Sequence, residues 1–315
     1  MHTHGCMSVF LFLTRFLSQY WRNQLLFGLL LLQTACVSIE NRMLLVSGDT
    51  TADGFTDHEH AVCQPLVSAP GASSALAPLD PERIALLNWN IYKGDGDNWQ
   101  HDLAAFAESH DILTLQEARL RDDLTVMLNQ HRLDWTINAA FYLDEQATGV
   151  MTASTSSVLH SCGFKTTEPL IRIPKSALVS YYAIEGSEQK LLVANIHGIN
   201  FTLGMTVYER QLDELYQAVR HHRGPMIIAG DFNSWSDKRM AAVTRFREAL
   251  QLAALEYEVN NKTHLFGNAI DHVFYRGLEP LGKKVWQVSS SDHNPISVAF
   301  RLAPVAEPVL ATISR

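Results

Sequence analysis

Cysteine is scarce in this sequence. The 315 residues contain four, Cys6, Cys36, Cys63 and Cys162, and no two of them form a CxxC pair. That excludes a structural zinc site of the usual spacing. It leaves open a Cys63–Cys162 disulfide in an exported protein, or two buried free thiols. Positive charge is also short, with 25 Lys and Arg against 33 Asp and Glu and a formal charge of −8. Proteins that grip long nucleic acid nonspecifically draw most of their affinity from basic faces, so this balance weighs against that class. It does not exclude a phosphate ester approached through a bound divalent cation. An internal repeat is lacking, and so is an apolar run of the about 20 residues that a transmembrane helix needs. With 47% hydrophobic and 18% charged residues, the chain has the composition of a globular protein with a sizeable core.

The first 40 residues differ from the rest. "LLFGLLLLQTACVS" (25–38) follows Arg15 and Arg22 and has the length of a signal-peptide apolar region. "LQTAC" sets Thr34 and Ala35 before Cys36 and resembles a bacterial lipoprotein cleavage site, which makes Cys36 a lipidation candidate. The expected location is the bacterial cell envelope, with the protein exported and lipid-anchored or membrane-associated. A misassigned start would make it cytoplasmic instead. Residues 41–81 end in "PLVSAPGASSALAPLDP" and have a linker composition. Within them "DHEH" (57–60) offers zinc ligands, though a solvated polar run in a tether explains it more simply. Residues 82–303 form the expected catalytic domain, and 304–315 a tail.

Strand-like and helix-like segments alternate through that domain. "IALLNWNI", "DILTLQEA", "SALVSYYAIE", "LLVANIHG", "MIIAGDFN", "AIDHVFYRG" and "ISVAFRL" are short, apolar and bounded by polar residues. In "VYERQLDELYQAVRHH" the residues Leu212, Leu215, Tyr216 and Val219 form one helix face. "DKRMAAVTRFREALQL" reads as a second helix with Asp237 at its cap. The expected class is α/β.

The polar residues gather where the strands stop. Asn88 and Asn90, Gln116 and Glu117, His197, Asp231 and Asn233, Asp271, and Asp292 and His293 all sit in or at the end of apolar runs. Each has a dull reading alone: His197 as a satisfied core histidine, Asp271 as a capped buried acid, Asp292 as a turn former. Together they favour a site, because strand ends are where α/β domains assemble one. Several converging carboxylates repel unless a cation neutralises them, and oxygen ligands without cysteine favour Mg²⁺ or Mn²⁺. Two histidines beside such a cation supply donors to phosphate oxygens, or a general acid or base.

The ordered set "WNI…LQEA…NIHG…GDFN…IDHVF…SDHNP" resembles the endonuclease/exonuclease/phosphatase superfamily over residues 84–300, and most of all its YafD-like bacterial branch. The resemblance implies a four-layered α/β sandwich, two mixed sheets face to face with helices outside. It implies that Asn90 and Glu117 hold the divalent cation, with Asp292 beside it or orienting His293. Asp231 would activate water and Asn233 position it. His197 and His293 would bracket the scissile phosphate, with Asp271 bonded to one of them. For the further residue that supports a histidine in many relatives, Tyr142 and Glu145 are candidates. Phe232 and Trp235 are expected to pack in the core. Basic residues that could meet a polyanion are scattered, Lys93, Arg119, Arg172, Lys175 and Arg210, and most of them read as ordinary surface charges.

The implied activity is divalent-metal-dependent hydrolysis of a phosphate ester: nucleic acid, phospholipid headgroup or small phosphodiester. The chain is expected to act as a monomer without a protein partner. The alternative is a non-catalytic envelope scaffold that keeps the fold.

Overall fold

The computed structural model describes residues 36–39, 44–48, 56–59, 63, 76–258 and 260–304. The expected leader up to residue 35 and the tail from residue 305 lie outside the described residues.

Chain order sorts the strands between two sheets. The first sheet takes β1 (Val37–Ser38), β2 (Leu44–Gly48), β3 (Thr56–Glu59), β4 (Ile84–Asn90), β5 (Ile112–Arg119), β6 (Asp134–Leu143) and β7 (Gln146–Ser154). The chain then crosses to the second sheet with β8 (Val158–Thr167), β9 (Pro174–Ala183), β10 (Lys190–His197), β11 (Met226–Asp231) and β12 (Ala253–Ala254). A small hairpin, β13 (His264–Leu265) and β14 (Asn268–Ala269), leads into β15 (Asp271–Arg276) of that second sheet. The chain returns to the first sheet with β16 (Leu278–Val285) and β17 (Ile296–Leu302). The first sheet runs β16-β17-β4-β5-β7-β6-β2-β3, with β1 also on β6, and the second runs β12-β15-β11-β10-β9-β8.

Among the described strands only β4–β5 and β10–β11 pair in parallel. A parallel pair needs a crossover. Helix α1 (Trp99–Ala107) supplies one and α3 (Thr206–Val219) the other, while α2 (Asp122–Gln130) and α4 (Asp237–Ala249) follow β5 and β11. On the outer side of the first sheet, Leu87, Trp89, Leu113 and Leu115 pack against Leu103, Phe106, Leu124 and Leu128. On the outer side of the second, Leu192, Ala194 and Ile228 pack against Leu212, Leu215, Val243 and Phe246. Between the sheets lie Leu86, Ile112, Val193, Ile227, Val273 and Val298. The result is helix, sheet, sheet, helix: the four-layered α/β sandwich.

The layer between the sheets changes character along its length. Past the apolar end, Gln116 Nε2 donates to Asn88 Oδ1 at 2.9 Å and to Asn195 Oδ1 at 2.7 Å. Asn195 Nδ2 in turn donates to the Leu115 and Met151 carbonyls. The amides of Asn88 and Gln116 thus belong to an inter-sheet network. Beyond them the same layer becomes ionic, with Asn90, His197 and Asp231.

Four long strands escape the sequence pattern. β6 and β7 owe much of their length to Ala, Thr and Gly, which signal strands weakly. β8 and β16 are edge strands, and β16 carries the Pro280, Gly282, Lys283 and Lys284 that edges favour. The expected linker of 41–81 contributes β2 and β3 to one edge of the first sheet, through pairing of β2 with β6. Residues 57–59 of "DHEH" are part of β3, with side chains outside the description. Helix α4 is capped by Ser236, not Asp237. Ser236 has the extended backbone a cap requires and its hydroxyl accepts from the Arg239 amide, while Asp237 opens the helix and faces its dipole. Cys63 and Cys162 are joined in a disulfide that ties the N-terminal region to β8 across 99 residues of sequence. Among the described residues no helix is long and apolar enough to cross a membrane.

A disulfide closing so long a loop removes much unfolded-chain entropy. Replacing Cys63 and Cys162 by Ser is expected to cost about 4 kcal/mol, read by denaturant unfolding with the oxidised parent as reference. An equal stability of the two forms would contradict the pairing.

Candidate active site

The topology delivers polar strand ends to one edge of the sandwich. The parallel pairs end there, β4 at Asn90 and β10 and β11 at His197 and Asp231, which are register partners. β15 runs antiparallel to β11, so its first residue, Asp271, pairs with Asp231. β17 runs antiparallel to β4 with Ile296 opposite Asn88, which puts the preceding His293 level with the end of β4. Glu117 is two residues before the end of β5 and would alternate away. A bulge between Leu115 and Ala118 breaks the register, and Glu117 takes a positive φ of 52°. Bulges beside sites re-aim side chains in this way. Gly230 lets the parallel strands close: a Cβ there would lie 2.0 Å from the Ile196 carbonyl oxygen.

Asp231 is the hub. It is 2% exposed, and its Oδ2 receives Asn90 Nδ2 at 3.2 Å and Asn233 Nδ2 at 3.3 Å. His197 Nε2 stands 3.3 Å and His293 Nε2 3.9 Å from the same oxygen. The Asn233 backbone amide donates to Asp231 Oδ1 at 2.9 Å. Asp271 Oδ2 accepts from His293 Nδ1 at 2.8 Å. Glu117 forms a close ion pair with Lys93 Nζ, lies 3.8 Å from Lys175 Nζ and 3.9 Å from His197 Nε2. Lys175 Nζ is itself 3.0 Å from His197 Nε2.

Burial and crowding set the charges. Burial pushes the Asp231 carboxyl up to about 6, with Asp271 adding to the rise and His293 opposing it. Burial works against a charged His293, yet Asp271 and Asp231 override it and raise it to about 10. Burial, then Lys175, hold His197 well below its ordinary value. Burial resists ionisation of Glu117, but Lys93, Lys175 and His197 bring it well below the carboxylate range.

A hard divalent cation suits this donor set. One ligand atom each from Asp231, Asp271 and His293 fall within 4.8 Å of one another. Asp271 Oδ1 is buried with no hydrogen-bond partner, an oxygen placed for an additional positive charge. Amide and carboxylate oxygens without thiolates are the ligands of Mg²⁺ or Mn²⁺.

Of the residues expected at the site, Asn90, Glu117, His197, Asp231, Asn233, Asp271 and His293 come together. Asp292 stays at the rim; it is exposed, accepts from Ser291 Oγ at 3.4 Å and, among the described residues, reaches His293 through its charge alone. Tyr142 packs against the core of the first helical layer and Glu145 lies in the turn between β6 and β7, so neither supports His197. Lys175, read as a surface charge, is the side chain at His197 Nε2, and Lys93 joins it at Glu117. Phe232 is fully buried, but Trp235 is half-buried and bonded through Nε1 to Asn200 Oδ1.

Further supports went unread. Arg239 is 2% exposed, and its guanidinium donates to the carbonyls of Ile199, Asn200 and Asn233 while lying over Tyr208 and Trp235. Gln211 accepts from the Ile199 amide and donates to the His197 carbonyl. Both had a signal: a polar residue at a helical spacing from buried apolar ones, Gln211 with Tyr208 and Leu215, Arg239 with Ala242, Val243 and Phe246.

These site residues lie within or just beside a stretch, residues 87–293, that matches the model of the Endonuclease/Exonuclease/phosphatase family. The chain belongs to that family. A UPF0294 protein of Klebsiella pneumoniae is 36% identical over 239 residues, covering 73% of this chain and 90% of its own length. A second UPF0294 protein, from Vibrio vulnificus, is 40% identical over 232 residues, covering 73% and 81%. The fold is shared with the human Nocturnin catalytic domain, at a TM-score of 0.57, 17% identity and coverage of 73% and 98%. It is shared also with ANGEL2, described as a 2',3'-cyclic phosphatase, at 0.54, 13% identity and 74% and 99%. Family members are phosphoesterases, and in this chain Asp231, Asp271 and His293 form a group able to hold a metal ion.

Two outcomes test this architecture. Arg239→Met leaves two buried carbonyls and one half-buried carbonyl without a donor and is expected to cost about 3 kcal/mol. Arg239→Lys recovers little of it, since one ammonium cannot replace the planar fork; thermal unfolding reads both. His272, bonded to Ser234 Oγ at 2.8 Å, is held down to about 3 by burial and then by Lys262. The unfolded chain takes up that proton near its ordinary 6.5, so the stability is present above pH 6.5 and is lost as pH falls towards 3. About 2 kcal/mol should be gone at pH 5, and His272→Gln should flatten that slope.

Proposed function

We propose that this chain is a phosphoester hydrolase that depends on Mg²⁺ or Mn²⁺ and attacks phosphorus with water. The observation that supports it most is the convergence on Asp231 Oδ2 of two amide donors and two imidazoles in a buried setting. A structural acid needs its hydrogen bonds satisfied; it does not need two histidines from distant segments, the end of β10 and the loop before β17, competing for one oxygen.

Asn90 and Glu117 would hold the cation. When bound, the cation polarises a phosphoryl oxygen and neutralises charge that develops on the phosphate. The chain's own residues do the rest. Asp231 accepts a proton from the attacking water, whose oxygen bonds to phosphorus. Asn233 orients that water and a phosphate oxygen. His293, fixed by Asp271 at Nδ1, presents Nε2–H to the phosphate and gives a proton to the leaving oxygen as its bond to phosphorus breaks. His197 brackets the phosphate from the other side. Asp292, outside the cluster, is left the role of a rim charge near His293.

The Cys63–Cys162 disulfide supports an oxidising compartment, and with it the cell envelope as the place of action. A non-catalytic scaffold is the weaker reading, since it gives no reason for the paired histidines.

Asp231→Asn preserves shape and removes the proton acceptor. It is expected to lower turnover of an activated phosphoester in Mg²⁺ by about 10²- to 10⁴-fold, while isothermal titration shows cation binding retained. Glu117→Gln should weaken cation binding itself. An Asp231→Asn variant as active as the parent would refute the assignment.

A further inference from the structure

Resting on that phosphoester reading, we infer that Lys175, together with Lys93, selects the dianionic phosphate of a monoester over the monoanionic phosphate of a diester. Two ammonium groups meet one carboxylate: Lys93 pairs with Glu117 Oε2, and Lys175 Nζ is 3.8 Å from Oε1. Lys175 Nζ also stands 3.0 Å from His197 Nε2, which is 3.3 Å from Asp231 Oδ2. Neither lysine is a surface charge, with side chains 28% and 14% exposed. They come from opposite sheets, Lys93 from the turn after β4 and Lys175 from β9, so helical or strand neighbourhood does not explain their meeting.

Donor capacity exceeds demand here. Each ammonium carries three N–H donors, whereas their shared acceptors are the two oxygens of Glu117 and one imidazole nitrogen. A structural ion pair with Glu117 needs one lysine. The second ammonium, 3.8 Å from Glu117, is left with N–H donors that an arriving anion can take.

The two ester classes differ in a way that this surplus can read. A diester presents two terminal oxygens and one negative charge; a monoester presents three terminal oxygens and up to two charges. His293 and His197, the imidazoles beside Asp231, face the place where terminal oxygens that both classes possess would sit. The lysine ammonium groups are the donors left for the third, and a lysine binds phosphate as a compact point charge. Hydrolysis then releases an alcohol and inorganic phosphate, so the product retains the group the lysines hold.

The test uses the full chain in Mg²⁺ with p-nitrophenyl phosphate and bis-p-nitrophenyl phosphate as paired substrates, and inorganic phosphate as a binding probe. The parent is expected to favour the monoester in kcat/KM. Lys175→Met should lose about 10- to 100-fold on the monoester, the effect of one charge-assisted hydrogen bond, and less than about threefold on the diester. Its affinity for inorganic phosphate, by titration calorimetry, should fall in parallel, and Lys175→Arg should restore part of it. A parent that prefers the diester, or equal losses on both substrates, would overturn the inference. If neither ester is turned over although the cation binds, the hydrolase reading fails separately. Phosphate calorimetry then decides the lysine assignment, with unchanged affinity in Lys175→Met refuting it. Should Lys175→Met not fold, Lys93→Met carries the same comparison.

Discussion

Burying Asp231 between two sheets is the constraint around which the rest is arranged. An isolated carboxylate in such a place is costly, and it persists only with partners. Those partners cannot come from one strand. Asn90 arrives from the first sheet, His197 and Asn233 from the second, and His293 from the return of the chain to the first. The site therefore exists only when both sheets are stacked in register. This explains why the layer between them passes from aliphatic to amide to ionic along one direction: the Leu86 and Val193 end supplies burial free energy, and the Asn88–Gln116–Asn195 bridge fixes the sliding position.

The two parallel pairs matter for the same reason. In an otherwise antiparallel sheet, alternate strand ends face opposite ways and polar termini are scattered. A parallel pair at the middle of each sheet, made possible by α1 and α3, doubles the strand ends at one edge. Antiparallel neighbours β15 and β17 then contribute their beginnings, Asp271 and the segment carrying His293. Arg239 and Gln211 complete the device from outside the second sheet, by holding the carbonyls and amides of the loops after β10 and β11.

Most of this site was legible because motif residues sit at the ends of strongly apolar strands, where a polar side chain needs a reason. Asp231 in "IIAGDFN" and Asp271 in "AIDHVFY" are such cases. What escaped was information held in geometry alone. The bulge that turns Glu117 into the site leaves no mark in "LTLQEA". Lys175 follows a proline at the start of β9 and looks like any edge lysine; only the pairing of β9 with β10 brings it to His197. Asp292 stays at the exposed rim of the cluster, where its charge still raises His293. β6 and β7 were hidden by small residues whose strand character comes from their neighbours.

Charge distribution carries the reading one step further. A chain with net charge −8 repels a polyanion at long range, but at physiological ionic strength that field fades over about 8 Å. Around Glu117 and Asp231 the balance evens out, because Lys93, Lys175 and a protonated His293 face Glu117, Asp231 and Asp271 and leave no net negative charge to resist a phosphate. A divalent cation added there makes the centre positive while the surroundings stay acidic. Such a field is short and focused, and under the proposed phosphoester reading it acts at the phosphate itself rather than along a charged backbone. Long nucleic acid, which is held by many spaced phosphates, gains least from that arrangement. A single phosphate group presented at the mouth of the site gains most, and the partial withdrawal of both lysines from water strengthens each contact they make with it.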